Sequence, residues 1–382
     1  MIQRICNLSN SHSFFLFGPR GVGKTTFLEH WAKGQNVFYV DLLDPEISHR
    51  YSLRPQLLIS DWEVKKAEWI IVDEIQKIPE LLDVVQKQMR KKNVYFALTG
   101  SSARKLRRGA SNLLGGRAFE FHFHPLTHIE LGSSFNLLEA LKWGTLPYIG
   151  ELSDANKVRS LYSYVSTYLK EEILVEQIVR KIEPFRRFLE VAAQMNGKIL
   201  NYAKIARDSG VEERSVARYF QILDDTLVGF HLYPFEKSLR KQQSQKAKFY
   251  FFDTGVTRAL QNKITLDLNT MTKDYGDYFE QFLVLEFFRL NDYYEKHFEF
   301  SYFRSNDSLE VDLIVKRPGK PEILIEIKSH DYFNEEDSKN LEIISKNFLN
   351  PEMYVLSNCK KPTNVRGVQF IHWQDGIKNI FA

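Results

Sequence analysis

Two sets of residues in this chain have the types and spacing to do chemistry. The first is Gly18-Pro19-Arg20-Gly21-Val22-Gly23-Lys24-Thr25-Thr26, in which the pattern G-x-x-x-x-G-K-T is complete. Glycines at these places let the backbone bend so that successive N–H groups point at phosphate oxygens, and the positive end of a following helix adds to their pull. The lysine then reaches the β- and γ-phosphates, and the Thr25 hydroxyl can ligate magnesium. The chemistry implied is binding of ATP with Mg2+. Further along, Trp69-Ile70-Ile71-Val72 runs into Asp73-Glu74. At a strand end beside bound phosphates, Asp73 would hold the magnesium and Glu74 would polarise the attacking water as a base.

The second set lies in the last third of the chain. In Glu310-Val311-Asp312-Leu313-Ile314-Val315 the residues Glu310 and Asp312 share a face, as do Glu326 and Lys328 in Ile323-Leu324-Ile325-Glu326-Ile327-Lys328. Asp312, then thirteen residues, then Glu326-x-Lys328, is a D…E-x-K pattern. Two carboxylates on adjacent strands can hold a magnesium ion, which lowers the pKa of bound water, while the lysine orients that water or steadies developing charge. Glu280, beside the apolar spacing of Phe279, Leu283 and Phe287, is a third candidate ligand. The competing reading is a charged strand end solvated beside a turn.

These side chains need particular elements to hold them. Phe14 to Phe17 reads as the strand before the glycine loop, and the residues after Lys24 read as a helix. Asn36 to Val40, Trp69 to Val72 and Val94 to Leu98 read as further buried strands, with an amphipathic helix from Lys77 to Arg90. Strands alternating with helices imply a parallel sheet covered on both faces, with ligands at the carboxyl ends of its strands. Thr99 and Ser101, at the tip of one strand, are placed to touch the γ-phosphate or the lytic water, or to form a turn. Arg104, Lys105, Arg107, Arg108 and Arg117 form either a solvated basic loop or a source of an arginine finger, in cis or on a second copy of the chain. Phe119 to Leu126 alternates as a last strand does, and His122, His124 and His128 read as surface residues rather than a metal cluster.

From Leu146 the pattern changes to long helices, with Tyr162, Val165, Tyr168, Leu169 and Ile173 at helical steps. After Asn196-Gly197, the residues Ala206, Gly210 and Val216 carry a helix-turn-helix pattern: a small residue where two helices cross, a glycine for the left-handed turn and a β-branched core contact. The second helix would expose Glu212, Arg214, Ser215 and Arg218. The basic stretch Lys237 to Lys248, containing Arg240, Lys241 and Lys246 and followed by Phe249-Tyr250-Phe251-Phe252, suits a wing hairpin. Such a winged helix would contact DNA phosphates, or pack on another protein.

Composition sets the frame. At 382 residues the chain exceeds one core, and 43% hydrophobic and 26% charged residues are ordinary for a globular protein. A net charge of +4 is compatible with nucleic acid without arguing for it. No apolar run is long enough to span a bilayer, which argues against a membrane role. Cys6 and Cys359 form neither a disulfide framework nor a zinc spacing, and the first ten residues lack a signal-peptide pattern, so a cytoplasmic location is expected.

In order, GPRGVGKTT, WIIVDEIQ, LTGSSARKL, GGRAFEFHFHPL, YLKEEI, KFYFFDTGVTRAL, GDYFEQF, EVDLIV and LIEIKS cover nearly the whole chain. This order resembles the bacterial and archaeal AAA-type ATPases that end in a PD-(D/E)XK nuclease-like domain. The resemblance implies ATP binding at Gly18, Gly21, Gly23, Lys24 and Thr25, a Walker B pair at Asp73 and Glu74, and a nuclease-like site at Glu280, Asp312, Glu326 and Lys328. Val311 stands where that family name puts proline, leaving the carboxylate in place. The expected architecture is a multidomain α/β protein: a P-loop AAA-type ATPase domain with a parallel sheet over 1–145, a helical lid or linker over 146–196, a winged helix over 197–262, and a restriction-endonuclease-like α/β domain over 263–382. Its expected partners are ATP, DNA, another protein at the winged helix, and further copies of itself. The alternative is a nucleotide-gated switch or regulator whose nuclease-like domain is catalytically inactive.

Overall fold

Phe14-Phe15-Leu16-Phe17 has no polar face, so a strand made from it must be covered on both sides. In the computed structural model, which describes residues 2–91, 94–101, 116–168, 182–236, 246–305 and 309–382, these residues form the fully buried strand β1 (Phe14–Phe17). It belongs to a five-stranded sheet with β2 (Val37–Asp41), β3 (Trp69–Asp73), β4 (Tyr95–Gly100) and β5 (Phe119–His122), in the order β2-β3-β4-β1-β5. Every neighbouring pair is parallel. Helices α1 (Lys24–Trp31), α2 (Pro45–Leu53), α3 (Leu57–Lys65) and α4 (Leu81–Met89) connect the strands. One core joins Phe15, Phe17, Val40, Ile70, Val72, Leu81, Val85, Phe96 and Leu98, each fully buried phenylalanine contributing about 1.5–3 kcal/mol. Elsewhere in the sheet Phe14 meets Trp31 and Trp69, and the two indoles cross edge to face with centroids 4.8 Å apart.

The chain divides into two compact units. The first is Met1–Leu126 with Leu146–Tyr148 and Ile222–Val228, and the second holds Thr127–Thr145, Ile149–Gln221 and Gly229–Ala382. A junction of this division falls after Thr145, but residues 127–145, expected in the ATPase domain, belong to the second unit. Residues 127–145 have their anchors in the second unit. The backbone N–H of His128 donates to Glu286 (3.1 Å), and that of Thr145 to Asp253 (2.8 Å). The side chain of His128 is buried against Glu286, which corrects its reading as a surface residue; an isolated histidine in the sequence gives no sign of a carboxylate 158 positions away.

In the second unit, α5 (His128–Leu131), α6 (Leu137–Trp143) and α7 (Asp154–Ser163) precede α8 (Ile182–Gln194), α9 (Tyr202–Ser209) and α10 (Glu213–Asp225). Asn201 caps α9 by accepting from the Lys204 N–H, and Gly210 ends it at φ 67°. The left-handed turn then needs no Cβ, as the sequence pattern required. Val216 and Phe220 are fully buried, whereas Glu212, Arg214 and Arg218 are exposed. An antiparallel pair follows, β6 (Gly229–Leu232) with β7 (Lys248–Phe251), and then α11 (Thr254–Leu260).

The long helix α12 (Lys273–Tyr293), which carries Glu280, is capped by Thr272, whose hydroxyl accepts from the Tyr275 N–H. The two strands expected after it are two of six. β8 (Glu299–Arg304), β9 (Glu310–Lys316) and β10 (Ile323–Ile327) form an antiparallel meander, and α13 (Lys339–Ile344) leads to β11 (Glu352–Ser357), parallel to β10. β12 (Thr363–Val365), β13 (Val368–His372) and α14 (Trp373–Phe381) complete the sheet order β12-β13-β11-β10-β9-β8. Arg104, Lys105, Arg107, Arg108, Leu169, Ile173, Arg240 and Lys241 lie outside the described residues.

Candidate functional site

The glycine loop leaves the carboxyl end of β1 and enters α1. Gly18 is needed for space, since a Cβ there would stand 2.2 Å from the Phe123 carbonyl oxygen. Gly21 (φ 82°) and Gly23 (φ 91°) take the left-handed conformation that the turn demands. Gly23 caps α1 without a side chain, so the helix N-terminus keeps backbone N–H groups for an anion. Lys24 is buried and donates to the carbonyls of Gly18 (2.7 Å) and Pro19 (3.1 Å). Pro19 and Val22 are buried, Arg20 is half-buried and Thr26 is exposed.

Asp73 ends β3 fully buried and accepts three hydroxyl hydrogen bonds: from Thr25 (2.7 Å), from Tyr39 in the middle of β2 (2.9 Å), and from Thr99 near the end of β4. Burial first, and then the Asp73 carboxylate, hold the Tyr39 phenol far above its ordinary pKa, so it stays a donor. The Thr99 oxygen also accepts the Glu74 N–H at 2.9 Å. One hydroxyl therefore fixes both acidic residues. Glu74 sits at φ 59°, which costs a non-glycine residue on the order of 1 kcal/mol. Its carboxylate accepts from the amide of buried Gln76, which also donates to Ser101 (3.0 Å).

The second cluster is gathered from α12, β7, β9 and β10. The last register pair of β9 and β10 is Leu313 with Ile325, so Asp312 and Glu326 stand one step further on, across from each other. The Ile327 N–H donates to Asp312 at 2.8 Å, and Lys328 donates to Glu326 at 2.7 Å. Glu326 is buried, and its other oxygen, Oε2, has no hydrogen-bond partner among the described residues. Burial, then the charge of Asp312, push Glu326 well up, against the pull of Lys328. Burial and Glu280 push Asp312 to about 6, against Lys248 and Lys328. Burial would lower Lys328, but Glu326 and Asp312 outweigh it and raise it.

Glu280 is turned elsewhere. It accepts from Lys248 (3.2 Å) and from the Tyr250 hydroxyl (2.7 Å). Lys248 also pairs with Glu310 at 2.7 Å, and Arg304 reaches Glu310 at 3.4 Å. Among the described residues, no group of three or more His, Cys, Asp or Glu side chains is gathered closely enough to hold a metal ion. Asp312, Glu326 and Lys328 thus come together as their spacing predicts, while Glu280 faces a lysine and a tyrosine. Sequence reasoning missed Tyr39, Gln76 and Tyr250, and placed Lys248 in a basic surface stretch. A lysine directly before the apolar run Phe249 to Phe252 was the available signal.

Comparison with known proteins divides the chain in three. Residues 10–132 match the AAA domain family. The first unit carries an AAA-type ATPase domain. Residues 135–270 and 275–375 match two domains of unknown function, DUF8612 and DUF4143. Two curated relatives, uncharacterized proteins of Mycobacterium bovis and Mycobacterium tuberculosis, are each 28% identical over 247 residues, or 64% of this chain and 55% of theirs. The chain thus spans little more than half the length of these relatives. A solved structure, a signal transduction ATPase with numerous domains and a tetratricopeptide repeat sensor from Pyrococcus horikoshii, is 12% identical over 75% of this chain and 45% of its own, with a TM-score of 0.22. A likeness at that score carries no argument. No helix among the described residues is long and apolar enough to cross a membrane.

Proposed function

We propose that this protein hydrolyses ATP in its first unit and uses the cycle to control a DNA-binding, DNA-cleaving second unit. The observation that carries the ATPase reading is the convergence of Lys24, Thr25, Asp73, Glu74 and Thr99 at the carboxyl ends of β1, β3 and β4. A hydroxyl and a carboxylate side by side, Thr25 and Asp73, suit a hard cation such as Mg2+, which when bound beside ATP neutralises phosphate charge. Lys24 exchanges two backbone carbonyls for phosphate oxygens. Glu74, held by Gln76, orients water toward the γ-phosphate. In the second unit, the paired Asp312 and Glu326 and the unpartnered Glu326 oxygen suit a divalent ion, and Lys328 steadies charge on a phosphodiester. Helices α8 to α10 followed by the β6–β7 pair support the winged-helix reading, with Arg214 and Arg218 exposed on α10 for phosphate contact.

The test is ATP binding and turnover by purified Lys24→Ala and Glu74→Gln proteins, with cleavage of plasmid and single-stranded DNA in Mg2+ or Mn2+. Loss of binding in the first, binding without turnover in the second, and cutting that disappears with Asp312→Ala are expected; normal hydrolysis in either of the first two variants overturns the ATPase reading. A second reading, a nucleotide-gated switch with an inactive nuclease-like surface, is favoured by the engagement of Glu280 with Lys248 and Tyr250. It predicts ATP turnover with no cutting of any DNA form.

A further inference from the structure

Lys248 has a place that surface lysines do not. Its backbone is paired on both sides, with Leu232 in β6 and with Ile199, and its side chain is 4% exposed. The ammonium lies 5.4 Å from the centroid of the Tyr302 ring and between two carboxylates carried by different elements, Glu280 of α12 and Glu310 of β9. A backbone pinned in this way leaves the ammonium little freedom to leave. Across the same cluster, Glu326 is more than nine-tenths buried with one oxygen unpartnered, and Asp312 stands opposite it. One half of the cluster is therefore filled by a protein cation, and the other half has carboxylate oxygen to offer.

We propose that this cluster is built for one divalent cation and one protein-borne cation: Asp312 and Glu326 hold the metal, and Lys248 permanently fills the place at Glu280 and Glu310 that a second metal ion would take. This rests on the metal-site reading of the second unit given above and deepens it, for it assigns the site one-metal chemistry. The charges follow. Glu280, Glu310, Asp312 and Glu326 formally outnumber Lys248, Lys328 and Arg304 by one. With every carboxylate ionised the cluster repels a phosphodiester, and one divalent ion reverses the sign. Metal loading and phosphodiester binding are thereby linked, with no second ion required.

The experiment is Mn2+ binding to the full chain without nucleotide, counted by the paramagnetic resonance of free Mn2+. It is run in a D73N background so that the first unit loses its acidic ligand. One tightly bound Mn2+ per chain, abolished by adding Asp312→Asn, is expected. Adding Lys248→Met instead should give two, the second lost again with Glu280→Gln. Two ions in the D73N protein itself overturn the inference, whether or not the Lys248 variant folds. So does a single ion in a Lys248→Met protein whose circular dichroism is that of the folded chain. No bound Mn2+ in the D73N protein overturns the metal-site reading together with the inference, so the two failures are distinguishable.

Discussion

The two clusters each contain a buried lysine among oxygens, and the oxygens differ. Among the described residues, Lys24 donates to the carbonyls of Gly18 and Pro19, whereas Lys248 lies between the carboxylates of Glu280 and Glu310. A neutral carbonyl is readily exchanged for an anionic phosphate oxygen; a pair of carboxylates is not. The first lysine is poised for a ligand, and the second is already partnered by the protein.

Replacing both lysines by methionine gives the widest contrast. Lys24→Met should weaken ATP binding at least about 100-fold, since it removes the cation that faces the phosphates, and should change unfolding free energy by no more than about 1 kcal/mol. Lys248→Met should leave ATP binding unchanged and cost about 1–3 kcal/mol, because it leaves two half-buried carboxylates, Glu280 and Glu310, without their buried cation. Nucleotide titration and urea denaturation measure the two effects, and equal losses of stability would erase the contrast.

A smaller effect comes from pH. Asp312 takes up its proton near 6 in the folded chain against 3.8 ordinarily, so between these values the folded state binds more protons than the unfolded one. Stability should fall as pH rises from about 4 to about 6, by on the order of 1–3 kcal/mol, and Asp312→Asn should flatten that slope. Urea melts across this range test it. Smaller again, Gln76→Ala should lower kcat about 10-fold with ATP affinity unchanged, since the Gln76 amide holds Glu74 and not the phosphates. Tyr39→Phe, which removes one of three hydroxyl donors to Asp73, should weaken metal-dependent ATP binding only about fivefold, a loss of roughly 1 kcal/mol. Both are read in steady-state kinetics and titration.

The difference between the clusters also explains what the sequence disclosed. The glycine loop and Asp73-Glu74 are contiguous motifs at strand ends, so order and spacing alone place them on one edge of a sheet. Asp312, Glu326 and Lys328 were legible because adjacent antiparallel strands bring a short spacing together. Lys248 was not, since its burial depends on Ile199, Leu232, Glu280 and Glu310, all remote in sequence; in one dimension it is the end of a basic run. Gln76 and Tyr39 carry no periodic or charge signal, and only the strand order, with β2 beside β3, brings Tyr39 to Asp73. His128 follows the same logic, its partner Glu286 lying on a helix of the last third.

The crossed indoles of Trp31 and Trp69 have a practical consequence. Trp31 ends the helix that Lys24 begins, and Trp69 begins the strand that Asp73 ends. At 4.8 Å and nearly perpendicular, their excited states couple, and the pair gives the first unit an optical label of its own. The resulting circular dichroism couplet reports whether that helix and that strand stay in register at one end while Lys24 and Asp73 change partners at the other.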